Sequence, residues 1–186
     1  MKFFEMLSGF FPNDTEIRNF MTEHTKNTEV KKGEIISKSG SYNRNIYFVE
    51  EGLLRSFYFE KEKEITTNFY TEGKLAANID VLFQNLPARF NIEALETSEI
   101  VYCNYESLEK LCRESLPASN FSRYILGNLM VQMSKRMASL QYMTAKEKYE
   151  ELMTENKNII LRAPLGMIAT YLGISAETLS RIRSSI

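Results

Sequence analysis

Apolar positions in this chain fall into three textures, and each predicts a different kind of element. Near the C-terminus Leu165, Ile168, Ala169 and Leu172 recur at helical spacing, which predicts one apolar face of a short helix. Gly173 follows the last of them, where a helix end favours a residue that accepts positive φ. Ser175 then stands as the cap of a second helix, with Glu177 in its first turn favoured by the helix dipole. In that second helix Leu179 and Ile182 point one way, while Glu177, Ser180, Arg181 and Ser184 point the other. Ala169 is small enough to let the two helices cross closely, and Leu179 closes a small core between them. This pattern predicts a helix-turn-helix.

Residues 28–102 have a different texture, short β segments punctuated by glycine. Segments at 29–37, 45–52, 53–59, 65–70, 90–95 and 99–104 are punctuated by Gly33, Gly40, Gly52 and Gly73, and a charged hairpin loop occupies 60–64. Turns at intervals of roughly 8–12 residues predict an all-β sandwich or barrel. Residues 77–85 read as a short helix lying across the mouth of that barrel. Residues 1–26 read as one or two short helices with Asn13 or Asp14 as a start signal and Ile17, Phe20 and Met21 on one face.

The third texture is helical. Asn104 caps a helix carrying Leu108, Leu111 and Cys112, and Pro117 opens a longer one, proline being favourable in a first turn. Along the longer helix Leu126, Met130, Met133, Met137 and Leu140 alternate steps of four and three. That heptad seam lets two identical helices pack side by side, although a helix packed on its own domain produces the same pattern. Its methionines read as adaptable fillers rather than chemical groups. Thr144 and Glu147 form a capping box, so a fresh helix starts there and runs to about Glu155, with Thr144 as a hinge.

Composition narrows the function classes. A chain of 186 residues allows one large domain or two small ones, and 44% apolar residues support a core of ordinary size. The net charge of −1 gives no global basic field, so any nucleic-acid face must be local. No run approaches the ~20 apolar residues of a membrane span, and the first residues lack the apolar core of a signal peptide, so a cytoplasmic location is expected. Cys103 and Cys112 are too few for a disulfide framework or an iron–sulfur site and read as reduced packing residues. His24 is the only histidine and reads as an inert surface residue. With no nucleophile arrangement and no metal-ligand spacing, an enzyme is not expected.

Taken in order, the glycine-punctuated β-roll, the long seam helix, the capped hinge and the terminal helix-turn-helix resemble the CRP/FNR family of bacterial transcription regulators. The resemblance spans nearly the whole chain. Its most specific piece is Glu177-Thr-Leu-Ser180-Arg181, which is similar to the Glu-x-x-Ser-Arg recognition motif of the FNR branch. In that family the Glu and Arg read bases and the Ser contacts DNA. The chemistry agrees, because a carboxylate accepts from the cytosine amino group and a guanidinium pairs with guanine O6 and N7.

Cyclic-nucleotide-binding members carry a Gly-Glu pair and, further on, an Arg-Ser pair that anchor the ribose and the cyclic phosphate. Here Ala77-Asn78 and Ala88-Arg89 stand at those places. One residue along a strand turns a side chain to the opposite face, so Arg89, offset by one place, need not enter the pocket. Cyclic AMP is therefore not the expected ligand, and the cofactor expectation is none, with another effector or no effector at all in a pocket that includes Asn78 and Arg89. Family members also have strands before the two-helix unit and a wing after it. Only the run at 158–162 precedes the unit here, so fewer phosphate contacts and a shallower salt dependence are expected.

These readings combine into an α+β fold. Residues 1–115 form a double-stranded β-helix (β-roll), 116–143 a dimerisation helix and 144–186 a short helix-turn-helix domain with its wing absent or truncated. The expected DNA-binding residues are Ser175, Ala176, Glu177, Ser180 and Arg181, with Ala176 standing where some relatives have an additional arginine. Arg162, Arg181 and Arg183 supply local positive charge, while Lys135 and Arg136 read as a solvated helix face. The expected partners are a second copy through Leu126, Met130, Met133, Met137 and Leu140, double-stranded DNA with an inverted repeat, and RNA polymerase, with no membrane. The competing reading is a ligand-binding β-roll whose terminal helices serve protein interaction.

Overall fold

The computed structural model describes residues 2–11 and 14–185. Two helices lead into the β region, α1 (Lys2–Phe10) and α2 (Thr15–His24). Asp14 caps α2 by accepting the Ile17 amide at 2.9 Å; Asn13, the other expected start signal, lies outside the described residues. The amino end of α1 is held by Glu50, whose buried carboxylate accepts the amides of Lys2 (2.7 Å) and Phe3 (2.8 Å). A negative group there satisfies two amides that a helix start leaves without intrahelical partners.

Eight strands follow: β1 (Thr25–Val30), β2 (Ile35–Ser37), β3 (Asn45–Glu51), β4 (Leu54–Glu60), β5 (Lys63–Tyr70), β6 (Leu75–Ala76), β7 (Asn91–Ala94) and β8 (Ser98–Asn104). They form two antiparallel four-stranded sheets, in the orders β1-β8-β3-β6 and β2-β7-β4-β5. Leu54, Ile92 and Ala94 face inward from the second sheet and meet Val30, Val49, Ala76 and Ile100 of the first. These sheets are the sandwich that the glycine-punctuated segments predict, but the first segment is split by a turn at Gly33 into the end of β1 and β2, β1 begins at Thr25 inside the stretch read as helical, and β6 is too short to register. The turn between β3 and β4 depends on Gly52. Its φ is +108°, and an added Cβ would lie 2.4 Å from Ser98 Cβ and 2.8 Å from Ser98 Cα, so no side chain fits.

The helix expected across the roll is α3 (Ile79–Gln84). After β8, Asn104 accepts the Glu106 amide at 2.8 Å and starts α4 (Tyr105–Glu114); Ser115 and Pro117 start α5 (Leu116–Tyr142). α1, α2, α4 and the start of α5 share a core of Phe3, Leu7, Phe11, Ile17, Met21, Leu111 and Ala118. Cys112 is partly buried against it, and both cysteines are free thiols, Cys103 being pushed up to about 11 by burial.

Four helices complete the chain: α6 (Ala145–Glu155), α7 (Lys157–Arg162), α8 (Leu165–Leu172) and α9 (Ala176–Ser184). The capping box at α6 is formed in both directions, Thr144 Oγ1 accepting the Glu147 amide at 3.3 Å and Glu147 accepting the Thr144 amide at 2.7 Å. Thr144→Ala removes one half of it and is expected to lower stability by about 1 kcal/mol. A urea titration followed by circular dichroism checks this, with an unchanged denaturant slope expected.

The run at 158–162, standing where family members carry strands, is the helix α7 instead. Short apolar runs do not distinguish strand from helix by periodicity, and here the outcome follows packing, with Ile159 buried in the core. That core is not closed by the terminal helices alone. Leu53 and Phe69 of the roll pack with Tyr149, Leu152, Ile159, Ile168, Ala169, Leu172 and Leu179. No helix among the described residues is long and apolar enough to cross a membrane.

Candidate nucleic-acid interface

The turn between α8 and α9 closes through two backbone hydrogen bonds, Gly173 N to Thr170 O (3.1 Å) and Ile174 N to Ala169 O (3.0 Å). Gly173 sits at φ +69°, so the pair is a Schellman arrangement with glycine in the left-handed position. Ser175 accepts the Thr178 amide at 3.1 Å and caps α9. Leu179 is fully buried, and Ile168, Ala169 and Leu172 lie beneath it. The opposite side of α9 is open: Ser175, Ala176, Glu177, Ser180 and Arg181 are all exposed. The buried side thus orients the helix, and the five expected residues share its free face.

Glu177 and Arg181 do not form an ion pair within 4.0 Å. The Ser175 hydrogen bond, the amide at its own position, and the charges of Arg181 and Lys63 hold the Glu177 carboxyl below the ordinary carboxylate range. It is therefore ionised at neutral pH, an acceptor only, as a partner for a base amino group requires. Arg183 is exposed on the same helix.

Two basic residues stand differently from the sequence reading. Arg162, expected on the DNA face, turns toward the roll instead. Its Nη1 donates to Glu72 at 3.1 Å and its Nε to Glu96 at 3.3 Å, with Nη2 completing a second contact to Glu96. Burial pushes the Glu72 carboxyl up, but the hydrogen bonds from Arg162 and the Gly52 amide outweigh it and leave the carboxyl below its usual range. Arg136, read as part of a solvated face, is half-buried. Its guanidinium lies 4.0 Å from the centre of the Tyr171 ring and donates to the Tyr171 carbonyl. Lys135 does remain exposed, paired with Glu155 at 3.7 Å.

α5 presents the expected seam to the outside. Met130 is 72% exposed, Met133 and Met137 each 58% and Leu140 46%, while Leu126 is half-buried. Within the chain these methionines have no cover, so the helix is not using this stripe to pack on its own domain.

In the roll, Asn78 and Ala88 are buried while Arg89 is exposed, so the two residues expected at the effector pocket are not brought together. Asn78 Nδ2 donates to Ser37 Oγ at 2.9 Å and to the Phe90 carbonyl at 3.1 Å, and its Oδ1 is buried without a partner. Arg89 pairs with Asp80 in the first turn of α3 at 2.5 Å. Tyr47 and Tyr70 reach into the roll, and their hydroxyls are satisfied there by the Ile36 carbonyl (2.9 Å) and by Ser56 Oγ (3.3 Å). No guanidinium of the roll reaches this interior, because the buried Arg55 lies on the other face of its sheet.

Arg55 is the polar residue that sequence reading missed. It is 1% exposed on β4, and its Nε donates to Glu93 at 2.6 Å and its Nη1 to Thr66 Oγ1 at 3.1 Å. A further pair joins it to Glu64, and its guanidinium lies 4.1 Å from the centre of the Phe57 ring. The backbone N–H of Thr66 donates to Thr170 Oγ1 of α8 at 3.2 Å, so this cluster adjoins the helix-turn-helix. An arginine between Leu54 and Ser56, in a strand that goes on to Phe57, Tyr58 and Phe59, was the one available signal.

Comparison with known proteins adds a domain match and several relatives. Residues 27–115 match the family model of the cyclic nucleotide-binding domain. The regulatory protein HlyX of Actinobacillus pleuropneumoniae is 26% identical over 82% of this chain and 68% of its own length. The fumarate and nitrate reduction regulatory protein of Vibrio cholerae is 24% identical over 93% of this chain and 73% of its own. Among solved structures, FixK2 from Bradyrhizobium japonicum superposes with a TM-score of 0.76 at 20% identity, covering 87% of this chain and 83% of that one.

Proposed function

We propose that this chain is a transcription regulator of the CRP/FNR type, homodimeric and sequence-specific in its binding of DNA. The observation that carries the reading is the face of α9. Glu177 and Arg181 stand one helical turn apart, exposed and unpaired with each other, on a helix fixed from behind by the fully buried Leu179. In this reading Glu177 accepts from a cytosine amino group and Arg181 donates to guanine O6 and N7. Ser175, Ser180 and the amino end of α9 bond phosphates, and Ala176 leaves room for the groove wall without adding a base contact. Two copies joined along the α5 seam present two such faces related by a two-fold axis, so the site is an inverted repeat. RNA polymerase is the machinery on which such a regulator acts.

The roll serves as scaffold or as sensor of something other than cyclic AMP. Support comes from the outward Arg89 and from an amide, Asn78, where the ribose-binding carboxylate of cyclic-nucleotide binders would stand. A cyclic phosphate entering here meets two tyrosine hydroxyls already bonded and no cation.

Selection of bound sequences from a random DNA pool at moderate salt tests the reading, with Arg181→Ala beside the native chain. The native protein is expected to recover an inverted repeat. Arg181→Ala is expected to lose about 1–3 kcal/mol and to relax preference at one position in each half-site. Recovery of the same weak, unspecific pool by both proteins would refute base reading.

A further inference from the structure

We infer that Arg136 is a positioning residue that sets the spacing of the DNA half-sites without touching DNA. The inference rests on the dimeric, base-reading function proposed above.

The argument begins with the place of Arg136 on α5. It directly precedes the seam residue Met137, so it flanks the stripe that faces the second copy rather than belonging to it. From there its guanidinium reaches the last turn of α8, stacking on the Tyr171 ring at 4.0 Å and donating to the Tyr171 carbonyl. Carbonyls at a helix end lack intrahelical donors and attract cations, so this contact caps α8 while tying it to α5. Removal from water lowers the Arg136 pKa, as expected for a guanidinium enclosed between two helices.

A second contact lies one turn further along α5. Leu140, the last seam residue, lies beside Gly173, where a Cβ built on the glycine would be in ordinary van der Waals contact with Leu140 Cδ2 at 3.5 Å. The turn between the two helices of the motif thus lies next to the end of the seam stripe. On its other side α8 is held by the roll, through Thr66 N to Thr170 Oγ1 and an edge-on contact of Phe69 with Tyr171 at 5.2 Å between ring centres. Tyr171 is therefore gripped from two sides, and only the α5 grip belongs to the element that both copies share.

The consequence is geometric. In a symmetric dimer the separation of the two α9 helices is fixed by how rigidly each is attached to α5. The attachment on the α5 side comprises the stacked and hydrogen-bonded guanidinium on α8, Leu140 beside Gly173, and two ties to α6, the exposed Lys135–Glu155 pair and a 3.5 Å bond from Lys148 Nζ to the Leu140 carbonyl. Without the guanidinium the motif keeps its roll contacts and its base-reading face but gains freedom to pivot relative to the seam. Binding two half-sites at once must then fix that freedom, and affinity falls by the cost of ordering it. Half-site recognition stays intact while the preference for one spacing broadens.

The test measures binding of the native chain, Arg136→Ala, Arg136→Lys and Arg181→Ala to inverted repeats whose half-site separation varies one base pair at a time. The native dimer is expected to prefer one separation sharply. Arg136→Ala is expected to lose roughly tenfold at that separation, to flatten the profile over its neighbours, and to keep the native half-site sequence and dimer mass. Arg136→Lys retains the cation over the ring and is expected to recover part of the sharpness. An unchanged spacing profile in Arg136→Ala would overturn the inference, as would an equal loss on all DNA accompanied by a lower melting temperature, which marks a merely structural role. Arg181→Ala separates the two layers of the argument, since it should weaken every separation alike. If the native chain shows no sequence preference at all, the base-reading function fails and this inference fails with it.

Discussion

Replacing Met133 and Met137 together by glutamate is expected to leave a folded monomer that binds an inverted repeat at least 100-fold more weakly than the native chain. Both side chains are more than half exposed in the single chain, so the substitutions disturb no existing packing. In the proposed dimer they meet their own copies across the seam, where the change brings four carboxylates into an apolar stripe. Desolvating and juxtaposing like charges there opposes association strongly. The DNA effect follows from lost bivalency, since two linked half-site contacts exceed one by 10²–10⁴ without any new interaction. Sedimentation and DNA titration at matched salt measure the two effects, and an unchanged circular dichroism spectrum shows that the fold survives. A dimer that persists in the double mutant would remove the α5 seam from the interface.

Arg55→Met carries the largest expected cost in stability, about 3 kcal/mol, because it breaks a buried ion pair from one side only. Glu93 loses its partner while its side chain is 13% exposed, and Thr66 Oγ1 loses its donor; Glu64, at 42%, relaxes into water. The orphaned carboxylate, more than the missing methylene packing, sets the magnitude. Thermal unfolding reads it as a fall of roughly 6–12 °C for a chain of this size. Arg55→Met combined with Glu93→Leu removes both partners and is expected to recover much of the loss, a recovery that double-mutant analysis quantifies. A fall of under 1 kcal/mol in the single mutant would mean that the cluster contributes little net stability.

What was legible in the sequence was local. Gly173, Ser175, Asn104, Asp14 and the Thr144–Glu147 box act through atoms within a few residues, and their spacing carries their geometry. The alternation of the strands and the heptad of α5 are local in the same sense. Arg162 and Arg136 were misread because their partners are not. Arg162 meets Glu96 and Glu72 across 66 and 90 residues of chain, and Arg136 meets Tyr171 across 35. A basic residue near a DNA-reading motif looks the same in sequence whether it faces a phosphate or a carboxylate. Arg89, expected beside the pocket with Asn78, is an exposed residue in the bend before β7 and pairs with Asp80 instead, a partner nine residues away that alternation along a strand does not reveal.

The participation of Leu53 and Phe69 in the core beneath α8 and α9 also bears on inheritance and melting. A helix-turn-helix that borrows two walls from the roll cannot denature far ahead of it, so calorimetry of the chain should show one endotherm rather than two. The same borrowing limits modular exchange. A chimera that grafts residues 144–185 onto a foreign roll must carry apolar partners for Phe69 and Leu53, or its recognition helix will be displayed from a half-built core. Change in such a regulator is thus expected to retune side chains on α9, where the face is free, and to leave the seam between roll and reader as a matched pair.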